Sequence, residues 1–173
     1  MLNRPIILET ERLRLRPVEF ADVPILADLW SDADVTRHMG GPRDRAKLVE
    51  IFEQIAREPL AEKYDMYPVE EKATGNVVGH CGLIDKEVEG KTEIELVYVL
   101  ARPAWGRGYA TEIAAAIKGH AFEKMGVRRL IALIEPGNEA SEQVAVKVGM
   151  HMENEVVRPG GALRRVYVVE AGT

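Results

Sequence analysis

Glu93 to Gly126 reads EIELVYVLARPAWGRGYATEIAAAIKGHAFEKMG, and the rest of the chain arranges itself around that stretch. Ile94 to Leu100 has β composition, and its apolar residues fall on both alternating faces. A strand of that kind is central and covered on both sides. Pro103 ends the ladder, because proline has no N–H to donate. Gly106 and Gly108 follow, and from Tyr109 the apolar residues Ala110, Ile113, Ala114, Ile117, Ala121 and Phe122 recur at helical spacing. Lys124 in the last turn and Gly126 just beyond it are stop signals.

A loop with two glycines before a helix suits an anion. The first turn of a helix carries backbone N–H groups without intrahelical partners, at the positive end of the helix dipole. Glycine lets a ligand approach the backbone without meeting a Cβ. Phosphate is the natural occupant, and Arg107 adds a mobile charge. The same pattern also serves as a plain turn, and nothing in this segment alone separates the two. The chain lacks Gly-x-x-x-x-Gly-Lys-Ser/Thr and Gly-x-Gly-x-x-Gly, so the common triphosphate and dinucleotide loops do not apply.

The run Pro103–Ala104–Trp105–Gly106–Arg107–Gly108–Tyr109–Ala110–Thr111–Glu112 resembles the pyrophosphate loop of the GNAT superfamily of N-acetyltransferases, Gln/Arg-x-x-Gly-x-Gly/Ala. Gly108 and Ala110 match its last two fixed positions; Trp105 stands at the first, where Gln or Arg is more usual. Tryptophan there is similar to the branch of ribosomal-protein alanine acetyltransferases. That branch also resembles the opening ETERLRLRPVEFADV (9–23), the hairpin Gly75–Asn76–Val77–Val78–Gly79, and Glu95–Leu96–Val97–Tyr98. Asn138–Glu139–Ala140–Ser141 and Lys147–Val148–Gly149–Met150 resemble its Asn-x-x-Ser helix and Lys-x-Gly-Phe turn. The resemblance spans nearly the whole chain.

It implies a mixed α/β fold. The central sheet is mostly antiparallel, with middle strands splayed at a bulge and helices on both faces. It implies an enzyme moving the acetyl group of acetyl-CoA to a primary amine, a protein N-terminus or a small molecule, by direct attack in a ternary complex. Backbone N–H groups of Arg107, Gly108, Tyr109 and Ala110 then bind the pyrophosphate, with Trp105, Gly106 and Thr111 completing the loop. The strand edge at Tyr98, Val99 and Leu100 pairs with the pantetheine arm, and Asn138 fixes it. Glu95 is the candidate base, direct or through water, since its strand face turns apolar at Val97 and Val99 and burial raises a carboxyl pKa. Ser141 is the candidate acid. Simpler readings stand beside these: Glu93 and Glu95 as a solvated strand end, Asn138 as a helix cap, Ser141 without ligand contact, Tyr98 and Tyr109 as core aromatics. A non-catalytic acetyl-CoA sensor of the same fold would keep Gly106, Gly108 and Asn138 but not need Glu95.

Length and composition set the frame. The 173 residues fit one domain, 1–173, with ordinary hydrophobic content and a net charge of −5 that argues against nucleic acid. Cys81 is the only cysteine, in keeping with a reducing cytoplasm. Arg4 and Pro5 interrupt the N-terminal apolar run, so neither a signal peptide nor a membrane span is expected. No histidine shows metal-ligand spacing with another or with Cys81, so no metal is expected. Oligomeric state is open, with a homodimer admissible.

Elsewhere the pattern predicts a first strand over 7–16 with one wet, arginine-bearing face, and a helix capped by Asp22 running to Trp30. A second helix over 44–56 follows the irregular stretch 35–42; the resemblance implies that this stretch lies over the acceptor pocket, with His38 and Met39 lining it or simply packing. Strands over 64–70 and 77–85 put His80 and Cys81 on opposite faces. An acidic turn spans 87–91. A strand over 129–135, a helix capped by Asn138, and a hairpin of 150–157 with 163–169 complete the chain.

Overall fold

The computed structural model describes residues 5–173; Arg4 lies outside them. In chain order the elements are β1 (Leu8–Glu9), β2 (Leu13–Leu15), α1 (Val23–Ser31), α2 (Arg45–Arg57), β3 (Met66–Glu71), β4 (Val77–Val88), β5 (Lys91–Leu100), α3 (Tyr109–Lys124), β6 (Arg129–Ile134), α4 (Glu139–Lys147), β7 (His151–Val157) and β8 (Leu163–Glu170). The eight strands form one sheet ordered β1-β2-β3-β4-β5-β6-β8-β7. Neighbours are antiparallel except β5 and β6, which are parallel and meet at the single pair Glu95–Ile131. Two strand–helix–strand crossovers among the described residues join parallel strands: β5–α3–β6, between neighbours, and β6–α4–β7, with β8 lying between its strands.

Alternation along β5 divides its residues between two cores. Leu96 and Leu100 pack with Ile113, Ile117 and Ala145 of α3 and α4. Val97 and Val99 face the other way, against Leu26, Leu48 and Phe52 of α1 and α2. Ile113, Ala114 and Ala121 are fully buried on α3, and the alanines let the helix lie close to the sheet. Burying a side chain such as Ile113 contributes roughly 2 kcal/mol. Beyond α1 and α2, Ile131, Val166 and Val168 are covered by Val88 and Val156 from the two long hairpins. Arg158 Nη1 ties those hairpins together by donating to the Glu87 carbonyl at 2.6 Å.

Five expectations need correction. The first strand is two short ones, paired Leu8–Leu15 and Glu9–Arg14. Thr10 turns the chain: its Oγ accepts from Leu13 N at 3.0 Å and donates to Glu112 of α3 at 2.6 Å. The arginine face is not all wet. Arg16 is 5 % exposed, held by Asp22 through both terminal nitrogens (2.7 and 2.9 Å) and by Glu70 at 2.8 Å. Asp22 is therefore spent on Arg16 and on the Glu19 N–H, has helical backbone angles, and makes no side-chain cap on α1. The turn at 87–91 is narrower, since β4 and β5 stay paired out to Val88–Lys91. The splay has no bulge beside it: β4 and β5 keep register from Gly79–Leu100 to Val88–Lys91, and the sheet opens only on the β6 side.

Candidate active site

Past Glu95 and Ile131 the two central strands lose each other, and a cleft of about 450 Å³ opens between them. The orientation of the freed backbone follows from pairing. In an antiparallel ladder the N–H and C=O of one residue point the same way and alternate along the strand. Ala101 N donates to Val78 O on the β4 side, so the backbone groups of Val99 and Val97 face β4 too. Those of Tyr98 and Leu100 face the opening. Trp105 Nε1 takes the Leu100 carbonyl at 2.8 Å, which leaves the Tyr98 and Leu100 N–H groups toward the cleft.

The glycine loop closes one end of this cleft. Gly106 and Gly108 have φ of +73° and +76°, a left-handed backbone that L side chains rarely adopt. With no Cβ at either position, the chain exposes its backbone just before α3. Glu112 N donates to Gly108 O, so the N–H groups of Tyr109, Ala110 and Thr111 precede the helical ladder and have no carbonyl within it. An anion placed there meets the helix dipole and several donors at once. The Arg107 side chain is elsewhere, a correction to the expected mobile charge. Its guanidinium pairs with Glu71 at 2.8 Å and stacks on the Tyr109 ring at 4.5 Å. Tyr109 is buried with its hydroxyl on Glu71, so it is a packing residue whose proton is already committed.

The two faces of the split sheet carry different chemistry. Toward α3 and α4, Tyr98 OH donates to the Ser141 carbonyl at 2.8 Å, and Ser141 Oγ donates to Tyr98 at 3.1 Å. Burial pushes the Tyr98 phenol up to about 12, tempered by the Ser141 hydrogen bond. It therefore holds a proton at neutral pH. Asn138 caps α4 by accepting from Ser141 N at 3.3 Å, which fixes Ser141 beside Tyr98.

Toward α1 and α2 lies Glu95, its side chain 12 % exposed. Burial raises its pKa above the ordinary carboxylate value, against the pull of Lys86 and of the Leu133 N–H that it accepts. Glu95 is thus not the solvated strand end of the simpler reading. The same face holds a pair that sequence inspection misses: His38 Nδ1 lies 2.6 Å from Glu135 Oε2, both lining the cleft. They are 97 residues apart, and no local signal joins them.

Glu95, Tyr98, Val99, Leu100, Trp105, Gly106, Gly108, Tyr109, Ala110, Thr111, Asn138 and Ser141 thus share one cleft. Arg107 alone of the expected set turns its side chain into the neighbouring polar hollow with Arg16, Asp22 and Glu71. His80 and Cys81 do lie on opposite faces, one beside Trp30 and Phe52, the other in the α3 core. Burial pushes the Cys81 thiol up to about 12, which makes it unreactive. No group of three His, Cys, Asp or Glu is placed to hold a metal ion among the described residues. No helix among them is long and apolar enough to cross a membrane.

The chain's similarities agree with this geometry. A family model described as an acetyltransferase (GNAT) domain matches residues 12–151. An uncharacterized protein of Bacillus subtilis strain 168, YkkB, is 35 % identical over 156 residues, 90 % of this chain and 91 % of its own. An uncharacterized N-acetyltransferase, p20 of Bacillus licheniformis, is 33 % identical over 168 residues, 93 % of each. The aminoglycoside acetyltransferase AAC(6')-Ib, solved in complex with coenzyme A, superposes with a TM-score of 0.72 at 18 % identity, over 92 % of this chain and 95 % of its own, which speaks to the fold. The split sheet, the glycine loop at the start of α3 and the family match together place this chain in the GNAT family, as an acetyltransferase.

Proposed function

We propose that this acetyltransferase uses acetyl-CoA as donor and a primary amine as acceptor, joining both in one complex. The observation that carries the reading is the cleft itself. It runs from the N-terminal N–H groups of α3, suited to a pyrophosphate, along the Tyr98–Leu100 edge, suited to an amide-bearing arm. The fold it shares with AAC(6')-Ib, which holds coenzyme A, supports the same donor.

The chemistry follows the two faces. The amine nitrogen attacks the thioester carbon, forming a C–N bond, and the carbonyl oxygen gathers negative charge. Backbone N–H groups of Tyr98 and Leu100 are the donors for that oxyanion, worth about 3 kcal/mol each in comparable sites. Collapse breaks the C–S bond, and the thiolate takes a proton from the Tyr98 hydroxyl, which turns from the Ser141 carbonyl to the sulfur and regains a proton, through water, from the second N–H that the amine loses. Ser141, expected as the acid, becomes the residue that positions it. On the opposite face Glu95 helps carry away the proton that the ammonium must lose. Counted along β5 it lies three residues from Tyr98, about 10 Å at the usual rise per residue. Its contribution therefore passes through water.

The resemblance to ribosomal-protein alanine acetyltransferases favours an N-terminal peptide as acceptor; a small-molecule amine is the second reading. The test is thiol release from acetyl-CoA, followed with a chromogenic disulfide, against N-terminal alanyl and seryl peptides, spermidine and kanamycin. Amine-dependent release, with an acetylated product by mass spectrometry, is expected. Acetyl-CoA binding without turnover on any amine would favour a sensor, and no binding would end the reading.

A further inference from the structure

We propose that His38, held by Glu135, is the group that takes the proton directly from the acceptor amine. The proposal rests on the acetyl-transfer reading above and adds a residue to it.

Three observations converge. The first is position. Glu95 pairs with Ile131 in a parallel register, and Glu135 lies four residues beyond Ile131, in the direction in which Tyr98 to Leu100 lie beyond Glu95. The His38–Glu135 pair thus lies on the open side of the last β5–β6 pair, as the Tyr98–Leu100 edge does, whereas Glu95 belongs to that pair. The second is face. Glu135 follows Ile131 and Leu133 on the side of the sheet opposite Tyr98 and Ser141, and His38 reaches it from the loop between α1 and α2. A base and an acid on opposite sides of the scissile bond is what acyl transfer needs, since one proton is lost by the nucleophile and another is given to the leaving group.

The third is tautomer. A carboxylate only accepts, so Nδ1 donates to Glu135, and in the neutral ring Nε2 then keeps its lone pair. Both residues line the cleft. This is the arrangement in which a carboxylate orients an imidazole and stabilises its cation. The balance is simple. R–NH3⁺ gives a proton to Nε2; R–NH2 attacks; the second N–H proton, lost as the C–S bond breaks, restores through water the one that Tyr98 gives the thiolate; the imidazolium, about one-third exposed, then releases its proton to bulk water. Overall, acetyl-CoA and ammonium become amide, coenzyme A and one proton. The charges around the pair are Arg164, 3.7 Å from the far oxygen of Glu135, Asp34 and Arg37 on the His38 loop, and Glu95 in the cleft. Asp34 is itself drawn to Arg102 at 3.2 Å.

The experiment is the pH dependence of kcat/KM for wild type, His38→Gln, His38→Ala and Glu135→Gln, with whichever amine of the panel above the wild type acetylates. His38→Gln is expected to lower kcat by about 10²-fold or more, the usual share of a general base, with acetyl-CoA affinity and Tm unchanged. Added imidazole restores part of the His38→Ala loss. Glu135→Gln is expected to lower kcat less than His38→Gln does, because the imidazole remains while its orienting carboxylate is lost. A His38→Gln enzyme within threefold of wild type at every pH overturns the proposal while leaving the acetyltransferase reading intact; so does a loss that imidazole does not rescue and that leaves the acid limb in place. A wild type that neither binds acetyl-CoA nor acetylates any amine ends the parent reading, and this one with it.

Discussion

Glu95 opposes folding at the cleft where its proposed role lies. Its pKa is higher folded than unfolded, because burial outweighs Lys86 and the Leu133 N–H. The folded state therefore binds the proton more tightly. Above the raised value the ionised carboxylate costs stability; the cost fades as pH falls, and is gone below the ordinary glutamate value of about 4.3. Glu95→Gln should raise Tm at pH 8, by an increment that shrinks toward pH 4, and should lower turnover by about tenfold, or about 1.4 kcal/mol of barrier. Thermal melts across pH check the first part and thiol release the second; unchanged turnover across the range would remove Glu95 from the proton path. Its burial was legible in advance from the apolar alternation Glu95, Val97, Val99. The His38–Glu135 bond was not, because it joins a loop to a strand end 97 residues away. Arg107 misled for a related reason: Glu71, its partner, belongs to a different strand.

At the scale of elements, α1 and α2 are fastened to β4 around His80. Trp30 Nε1 donates to His80 Nδ1 at 3.0 Å, and Trp30 and Phe52 both meet the imidazole edge-on. Nε2 is buried with the Met66 backbone nearby but without a well-formed hydrogen bond. Burial pushes this imidazole down to about 4. A histidine held neutral in the fold binds its proton more weakly there than unfolded. Stability is full above about pH 6.5, falls as the unfolded chain protonates, and levels off near pH 4, a total of at most about 3 kcal/mol. Urea unfolding at pH 7 and pH 5 should show that loss in wild type and a smaller one in His80→Gln; equal pH slopes would contradict it. Helix periodicity and the cap Asn138 made α3 and α4 readable from sequence, since those signals are local; the cap that Asp44 gives α2 is seen only in the structure. The break between β1 and β2 was hidden because Thr10 turns toward Glu112, a partner on α3. Arg16 was hidden in the same way, looking like one more solvated arginine until Asp22 and Glu70 close around it.

Across the whole molecule, function comes from one interruption in an otherwise continuous sheet. Two halves, β1 to β5 and β6 to β8, share a single described pair and then part. The proposed donor path, oxyanion N–H groups, acid and base all lie at that opening. Tyr98–Ser141 crosses it on one side and His38–Glu135 on the other. The measurement that tests this account most directly is acetyl-CoA titration by calorimetry, wild type beside Gly108→Trp, with circular dichroism confirming that both are folded. The account predicts saturable one-to-one binding by wild type and its loss in the variant, whose side chain covers the N–H groups at the start of α3. Equal binding by both proteins, or none by a folded wild type, would contradict it.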